Sequence, residues 1–279
     1  MNESGIVFGN GFLGNRIADS FGFTISPLRI QDYSSLRSYL EREKPKVVIN
    51  AVGKTRGPGS AGIDWCELNQ EQTFFSNVVV PGIISLACYE LGIYFVHLST
   101  GGIYQGDNGG AGFSEEDEAN FTGTQFYAKT KADAEKLIRN LPGLIIRIRS
   151  PIDDRPHQHN LIDKLIKYPR IINLGSSATT VPHMIKALGT LIDEKVEGTY
   201  NVVNPGIISP AEIMQMYREL VDIDHKFEVI GLDELKEVTQ VARSVCVLDT
   251  RKLESKGIKM PEIKKAVEEC LVQYRRSLK

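Results

Sequence analysis

The sequence predicts an α/β fold: a Rossmann-like doubly wound parallel sheet with a smaller, discontinuous C-terminal lobe. A glycine-rich turn links the first apolar segment to a helix, and short apolar segments alternate with longer amphipathic ones through the first half. Short, almost wholly apolar segments are typical of parallel strands buried on both faces. We therefore expect a nucleotide-binding domain of residues 1–150 with a further strand near 198–204, and a lobe of residues 151–190 and 205–279.

Composition makes several classes of function improbable. The 279 residues carry a formal net charge of −2, so no nucleic-acid partner is expected. We see no apolar run approaching the ~20 residues that cross a bilayer, and residues 1–4 leave no room for a signal peptide. A cytoplasmic protein without membrane contact is expected. Scattered cysteines predict reduced, buried thiols and no metal site; they are Cys66, Cys88, Cys246 and Cys270.

The first strand is expected at residues 5–8 and runs directly into a Gly-x-Gly-x-x-Gly turn that opens a helix. Glycines in this pattern permit a tight turn, close approach of a pyrophosphate and close packing of helix on strand. The N-terminus of the helix offers its N–H groups to the anion. The candidate cofactor contacts in this turn are Gly9, Asn10, Gly11, Phe12, Leu13 and Gly14.

The second strand, expected at residues 21–26, should end beside the adenosine ribose of a dinucleotide. A carboxylate at this place would favour NAD, but no acid occurs before Asp32. Ser26 and Arg29 instead offer a hydroxyl and a guanidinium, which suit a 2′-phosphate and favour NADP. Arg29 is equally compatible with a solvated loop. Asp32 is expected to cap a helix over residues 33–43.

Tyr127 and Lys131 are four residues apart, which places them on one face of a predicted helix. A nearby cation favours the tyrosinate and brings its pKa, near ~10 when free, closer to a working range. Thr100 follows a buried strand at residues 94–98, where a parallel sheet binds ligands. A surface lysine and a strand-end threonine are the structural alternatives. Together the three residues favour a carbonyl-reducing site.

Further elements are predicted on both sides of this helix. Strands are expected at residues 46–53, 144–149 and 199–203, and helices at residues 78–91, 210–220 and from 261. Asn77 is compatible with a helix cap or with a backbone clamp. Pro151 leaves its strand near the expected nicotinamide position, and Ser209 is the expected N-cap of the helix at 210–220. His157 and His159 lie in a polar loop without an evident third metal ligand.

The chain resembles the extended short-chain dehydrogenase/reductases through the glycine turn, residues 50–53, Ser99-Thr100 and Tyr127-x-x-x-Lys131, in that order. More narrowly it is similar to the dTDP-4-dehydrorhamnose reductase group, and within it to UDP-4-keto-6-deoxyglucose 3,5-epimerase/4-reductases. The stretches that carry this second resemblance are residues 64–67, 112–117, 120–123, 204–209 and 214–218.

The resemblance implies a reductase of a nucleotide-linked 4-keto-6-deoxyhexose, forming UDP-L-rhamnose or dTDP-L-rhamnose with NADPH. Thr100, Tyr127 and Lys131 would be the catalytic triad, and a homodimer through helices that include residues 76–91 and 125–139 is implied. Further implied cofactor contacts are Ala51, Val52, Gly53, Tyr127 and Lys131. The implied substrate contacts are Thr55, Gly101, Gly102, Asn160, Lys164 and Arg243.

Two departures from the group bear on activity. The glycine turn is one residue shorter than the usual Gly-x-x-Gly-x-x-Gly, which affects individual phosphate contacts. Related epimerase-reductases carry a proton-transferring cysteine at the position of Gly102, whereas Lys164 matches the lysine that these enzymes use for epimerisation. Reduction is therefore predicted more firmly than epimerisation.

Two other functions remain open from the sequence. One is a non-catalytic NADP-binding regulatory subunit resembling the β subunit of methionine adenosyltransferase, and the other is a reductase of a different carbonyl compound. A 4,6-dehydratase is disfavoured, because that family follows the threonine with Asp-Glu and this chain has Gly101-Gly102.

Overall fold

A computed structural model describes residues 3–57, 62–121, 125–231, 234 and 244–278. The chain divides into two compact units: the first comprises residues 1–103, 118–147 and 189–200, and the second residues 104–117, 148–188 and 201–279. Residues 104–117 group with the second unit and residues 189–200 with the first, so the division falls at other positions than the sequence suggested.

A six-stranded sheet forms the centre of the first unit. Its strands are β1 (Gly5–Phe8), β2 (Thr24–Ile25), β3 (Val47–Asn50), β4 (Tyr94–Thr100), β5 (Leu144–Ile148) and β9 (Gly198–Asn201), and their order in the sheet is β2-β1-β3-β4-β5-β9. The pairs β1–β2, β1–β3 and β3–β4 are parallel. The strand order reverses between β1 and β3, and such a switch point opens a crevice at the carboxyl ends of the strands. The predicted Rossmann-like fold is confirmed.

Helices flank this sheet. They are α1 (Phe12–Phe21), α2 (Tyr33–Glu43), α3 (Asp64–Leu68), α4 (Gln70–Phe74), α5 (Val80–Leu91) and α6 (Phe126–Ile138). A buried cluster joins α2, α5 and the sheet, with Phe8, Leu36, Val48, Ile84 and Phe95 among its members. Asp32 caps α2 as predicted, since its carboxylate accepts a hydrogen bond from Ser35 N at 2.8 Å.

The bounds predicted for the second strand were wrong. Residues 21–26 were expected to be extended, but Phe21 ends α1 and only Thr24–Ile25 pair with β1. Gly22 has a φ of 68°, the left-handed conformation that terminates a helix, and it moves the start of the strand. The bounds expected for β3 were also too long, since the paired residues are Val47–Asn50.

A π-helical turn, Phe75–Val79, joins α4 to α5. The run Gln70–Leu91 is 22 residues long and contains an 18-residue window with a mean hydropathy of 1.5, so the expectation that no apolar run approaches membrane-spanning length was wrong. By length and composition this run would also suit a membrane span. Its buried residues pack against α2, α6 and β4, as expected of a core helix.

The second unit has its own apolar core, which includes Ile152, Ile162, Met214, Val267 and Leu271. Its helices are α7 (Leu161–Leu165), α9 (Pro210–Leu220), α10 (Arg251–Ser255) and α11 (Ile263–Ser277), and α8 (Val181–Asp193) runs from this unit into the first. The short strands β6 (Pro151–Ile152) and β8 (Thr179–Thr180) are parallel, as are β7 (Arg170–Ile172) and β10 (Glu228–Ile230).

The predicted N-cap of α9 is confirmed. Ser209 Oγ accepts from Glu212 N at 3.0 Å, and Glu212 Oε2 accepts from Ser209 N at 2.8 Å, which together form a capping box. All four cysteines are free and buried, as the sequence suggested.

Candidate functional site

The glycine turn between β1 and α1 has the geometry of a phosphate cradle. Gly9 has a φ of 106°, and a Cβ at Gly14 would lie 1.8 Å from the Gly9 carbonyl oxygen, so both positions require glycine. In the described part, a Cβ added at Gly11 would meet no atom within 4 Å. The N-cap of α1 is Gly11, without a side-chain cap hydrogen bond, and the N-terminus of a helix favours an anion.

A groove of about 1170 Å³ extends from this turn within the first unit. Its lining includes Gly9, Asn10, Ser26, Arg29 and Val52, all of which the sequence proposed as cofactor contacts. Arg29 is exposed, whereas Ser26 is half-buried and its Oγ accepts from Leu28 N at 3.1 Å. Because Asp32 is engaged as the cap of α2, its carboxylate is already bound to the backbone. The groove therefore presents a guanidinium and a hydroxyl where an NAD-type site would have an acid.

The loop after β3 is held by two buried asparagines. Asn50 Oδ1 accepts from Val52 N at 3.0 Å. Asn77 lies in the π-helical turn; its Oδ1 accepts from Lys54 N at 2.6 Å and its Nδ2 donates to Lys54 O at 3.1 Å. Asn77 Nδ2 also lies 3.1 Å from Thr130 Oγ1 of α6. Of the two alternatives for Asn77, the structure shows the backbone clamp.

Thr100 ends β4, and a 3-10 turn, Gly101–Ile103, follows it. Thr100 Oγ1 accepts from Gly102 N at 3.0 Å. A hydroxyl that accepts this bond retains its own hydrogen for donation. Thr100 is half-buried, and Gly101 and Gly102 are buried. This arrangement suits donation to a carbonyl oxygen.

Helix α6 carries Tyr127 in its first turn and Lys131 one turn later, and it packs against β4 and the 3-10 turn. Its N-terminus is held by Glu67 of α3, whose carboxylate accepts from Phe126 N at 2.7 Å. A carboxylate at this end is favoured by the helix dipole. Tyr127 is half-buried, whereas Lys131 is almost fully buried.

Lys131 Nζ donates to the Leu98 carbonyl at 2.9 Å and lies 3.2 Å from His97 Nε2. Removal of the amine from water lowers the pKa of Lys131 to about 8, and the Glu135 carboxylate opposes this shift. His97 is fully buried, and burial together with the Lys131 charge lowers the pKa of the imidazole well below its usual value. The imidazole is therefore neutral, and the lysine titrates close to the physiological range.

A buried ion pair lies one turn further along α6. Glu135 accepts from Arg147 Nε and from Arg147 Nη2, the second at 2.7 Å, and it also accepts from Ser99 Oγ. Two charges inside the protein require such complete hydrogen bonding. The pair links α6, β5 and the strand residue that precedes Thr100. The pair was not predicted from the sequence, although the charged Arg147 in the apolar segment Leu144–Ile148 was the signal that a buried partner exists.

In the second unit, Pro151 begins β6 and pairs with Thr179. Asn160 was predicted to contact substrate, but the structure gives it another role. Its Oδ1 accepts from Asp153 N at 3.0 Å and Ile162 N at 3.3 Å, while Nδ2 donates to the Asp153 and Arg155 carbonyls. Every hydrogen-bonding position of this buried amide is used within its own loop and helix cap.

The remaining predicted contacts are placed as follows. Lys164 lies half-buried in the last turn of α7, and Thr55 is half-buried in the loop after β3. Arg243 lies outside the described residues. Within the described residues, no group of three or more His, Cys, Asp or Glu side chains is placed to hold a metal ion.

Comparison with known proteins agrees with this geometry. Residues 13–276 match the family model described as the RmlD substrate binding domain. The chain belongs to this family. The resemblance predicted from the sequence is thereby confirmed.

Individual relatives of this RmlD-family chain are named as dehydrorhamnose reductases or as a rhamnose synthase. It is 34% identical over 266 residues to a bifunctional dTDP-4-dehydrorhamnose 3,5-epimerase/dTDP-4-dehydrorhamnose reductase of Arabidopsis thaliana, covering 92% of this chain and 85% of that one. The crystal structure of the L780 UDP-rhamnose synthase from Acanthamoeba polyphaga mimivirus superposes with a TM-score of 0.92 at 26% identity, over 98% of this chain and 100% of that chain. A Bacillus anthracis dTDP-4-dehydrorhamnose reductase in complex with NADP shares the fold, with a TM-score of 0.83, 20% identity and coverage of 98% and 100%.

Proposed function

We propose that this RmlD-family chain is an NADPH-dependent 4-reductase of a nucleotide-linked 4-keto-6-deoxyhexose. The observation that carries the proposal is the placement of Thr100, Tyr127 and Lys131 in one unit, beside a glycine turn that requires Gly9 and Gly14. The names of the Arabidopsis and mimivirus relatives support the substrate class, a UDP- or dTDP-linked sugar of rhamnose synthesis.

The described residues fit a phosphorylated dinucleotide. The glycine turn and the N-terminus of α1 would hold the pyrophosphate, and Arg29 and Ser26 would bind the 2′-phosphate. Lys131 would hold the nicotinamide ribose. When bound, NADPH supplies the hydride to C4 of the sugar.

The protein residues manage the charge that develops on the sugar oxygen. Thr100 donates its hydroxyl hydrogen to the carbonyl oxygen, which holds C4 in place. Tyr127 donates its phenolic proton to that oxygen as it becomes an alkoxide. The Lys131 ammonium stabilises the tyrosinate that remains. Because burial lowers the pKa of Lys131 to about 8, this stabilisation is lost as the pH rises above that value.

Epimerisation at C3 and C5 is a second candidate activity, because the Arabidopsis relative is named for it. The acid–base groups must lie beside carbons that the 4-keto group acidifies. Gly102 has no side chain and donates its N–H to Thr100, so it supplies no such group. Lys164 is the residue of this chain that we assign to epimerisation.

The test is turnover in buffered D2O with NADPH and enzymatically prepared UDP-4-keto-6-deoxyglucose or its dTDP counterpart. Loss of absorbance at the nicotinamide band and an NMR-identified L-rhamnose product with deuterium at C3 and C5 establish both activities. An unepimerised 6-deoxyhexose product establishes reduction alone. Tight NADPH binding without turnover of either sugar contradicts the proposal and favours a non-catalytic regulatory subunit.

A matched pair of variants separates the two activities. Lys164→Met should abolish deuterium incorporation while NADPH consumption with the already epimerised 4-keto sugar continues. Lys167→Met is the control, since this exposed lysine lies two residues past the end of α7.

We also propose a cytoplasmic homodimer without membrane contact. Leu86 and Tyr89 of α5 and Leu137 of α6 are exposed apolar side chains, which supports burial against a second copy. Multi-angle light scattering of the purified protein tests the dimer, and a mass of 31.0 kDa, that of one chain, contradicts it.

A further inference from the structure

The orientation of the Asn50 amide is fixed by its neighbours. Asn50 and His97 are register partners on the parallel strands β3 and β4, and Asn50 Nδ2 lies 3.0 Å from His97 Nδ1. Val52 N donates to Asn50 Oδ1 at 3.0 Å, so the oxygen faces the backbone and the NH2 group faces the imidazole. An amide nitrogen donates and does not accept. Nδ1 of His97 is therefore the acceptor.

This assignment determines the other ring nitrogen. In a neutral imidazole one nitrogen accepts and the other carries the hydrogen. With Nδ1 accepting, the hydrogen lies on Nε2, which is 3.2 Å from Lys131 Nζ. An ammonium group has only hydrogens to present, so Nε2–H and a charged Lys131 would be two donors facing each other. A neutral amine instead offers its lone pair to Nε2–H and still donates to the Leu98 carbonyl at 2.9 Å.

The alternative protonation states conflict with the same contacts. An imidazolium or an Nδ1–H tautomer would direct a hydrogen at the Asn50 NH2 group. The imidazolium is opposed further because burial and Lys131 lower the pKa of His97. Rotation of the Asn50 amide would direct its NH2 group at Val52 N–H. The Nε2–H tautomer is the one that satisfies all three residues.

We propose that Asn50 and His97 are positioning residues that set the protonation state of Lys131 through the tautomer of the imidazole. In the cofactor-free protein they disfavour the ammonium form, so Lys131 gains its charge only at lower pH than an ordinary lysine. The consequence for catalysis rests on the function proposed above, but the tautomer itself does not.

Burial lowers the pKa of Lys131, and the Nε2–H tautomer of His97 likewise disfavours the ammonium form. On its own helix Tyr127 lies one turn before Lys131 and Glu135 one turn after it, and the Glu135 carboxylate opposes the shift. The π-helical turn Phe75–Val79 and the 3-10 turn Gly101–Ile103, both packed against α6, contain no titratable side chain. The helices α4 and α5 also pack against α6; their titratable side chains are the exposed Glu71, Tyr89 and Glu90 and the buried Cys88, which lies in the cluster of α2, α5 and the sheet. Glu67 of α3 is bound to the N-terminus of the helix. His97 is thus the titratable contact that Lys131 receives from the sheet.

The substitution Asn50→Asp tests the proposal with almost no change of shape. A carboxylate still accepts from Val52 N but accepts from His97 as well, so it moves the hydrogen to Nδ1 and leaves the Nε2 lone pair facing Lys131. Nitrogen-15 spectra of histidine-labelled protein should show the Nε2–H tautomer in the wild type and the Nδ1–H tautomer in the variant. The alkaline limb of the pH profile of kcat/KM should move up by at least one pH unit.

Because Asn50→Asp also adds a negative charge, a neutral pair of variants isolates the tautomer. In His97→Gln the side-chain oxygen takes the place of Nε2 and accepts from an ammonium, which should move the alkaline limb up. In His97→Asn the oxygen takes the place of Nδ1, so the Nε2–H that faces Lys131 is removed but no acceptor replaces it, and a smaller upward shift than in His97→Gln is expected. The His97→Asn spectrum also assigns the His97 signal by its loss.

An Nδ1–H tautomer in the wild type overturns the proposal, even if every variant fails to fold. Equal alkaline limbs in the wild type, Asn50→Asp and His97→Gln overturn it as well. If no sugar is reduced, titration of carbon-13-labelled lysine replaces the kinetic readout, with Lys131→Met assigning the signal. In that case a Lys131 titration that moves up in Asn50→Asp and in His97→Gln supports the tautomer while the reductase assignment fails.

Discussion

Two fully buried asparagines show how similar polar groups serve different purposes in the two units. Asn50 in the first unit donates to the imidazole of His97, which in turn contacts Lys131. Asn160 in the second unit places all its hydrogen bonds on the backbone of the residues around it. Both are fully buried, and both accept from a backbone N–H, that of Val52 for Asn50 and that of Asp153 for Asn160. The identity of the partner, a titratable side chain or a peptide group, separates a residue that tunes chemistry from one that holds a loop.

The largest expected effect is that of Tyr127→Phe, which removes a hydroxyl from the first unit with little change of packing. Loss of the proton donor should lower kcat about 10²–10⁴-fold. The half-buried ring remains, so the NADPH dissociation constant and the thermal midpoint should stay close to those of the wild type. Steady-state kinetics, fluorescence titration and calorimetry measure the three quantities. A variant that keeps a tenth of the wild-type kcat would remove Tyr127 from the chemistry.

Asn160→Ala should show the opposite behaviour. It leaves buried peptide groups of the loop unpaired, which should lower the free energy of unfolding by about 2–3 kcal/mol. NADPH affinity should not change, because the hydrogen bonds that are lost lie in the second unit. Urea unfolding followed by circular dichroism measures the loss, with the exposed Asn173→Ala as control. Equal stability of the two variants would remove the distinction drawn between Asn50 and Asn160.

Lys131→Met should separate function from stability within the first unit. The pKa of Lys131 is about 8 in the folded protein and near 10.5 in an unfolded chain, so burial of the charged lysine costs stability below about pH 8. The cost disappears as the pH rises from about 8 towards 10.5, because the folded protein then releases the proton first. The inactive variant should be more stable than the wild type by about 1–3 kcal/mol at pH 6.5.

The measurement is urea unfolding of both proteins between pH 6.5 and pH 10. The stability difference should shrink across the upper part of this range. A difference that is constant with pH would mean that Lys131 does not titrate there. Lys129→Met, an exposed position on the same helix, controls for the loss of a lysine as such.

Arg29→Ala should have the smallest effect, since this residue is exposed. Its removal should weaken NADPH binding about tenfold, equivalent to about 1.4 kcal/mol, and leave NADH binding unchanged. Titration of both cofactors against the wild type and the variant measures the change. Equal weakening for the two cofactors would assign Arg29 to the pyrophosphate or the loop rather than to the 2′-phosphate.

The features that the sequence predicted well depend on neighbouring residues. The glycine turn and the N-caps at Asp32 and Ser209 each involve partners within five residues, so spacing alone identifies them. The pair Tyr127 and Lys131 is also one helical turn. Such local patterns predicted most elements of the first unit.

The contacts that the sequence did not predict join distant strands. Asn50 meets His97 only because the register of β3 and β4 pairs them, and Lys131 then reaches the same ring from α6. A histidine within the apolar segment at residues 94–98 was the available signal, since a buried imidazole requires partners. Asn160 was predicted to contact substrate, but its partners are backbone groups of its own loop and helix cap. Those contacts depend on the path of the backbone, which residue types alone do not predict.

Because of the π-helical turn at Phe75–Val79, the conformation of this helical run depends more on the number of residues in the turn than on their identity. One extra residue in a helical turn rotates all that follows by ~100° relative to an uninterrupted α-helix. In this chain the rotation separates α4, whose residues line the groove, from α5, whose residues fill the core, and Asn77 lies at the junction. Deletion of a single residue here would let the run close into a continuous α-helix and remove the turn that holds Asn77, whereas most substitutions would alter only one position.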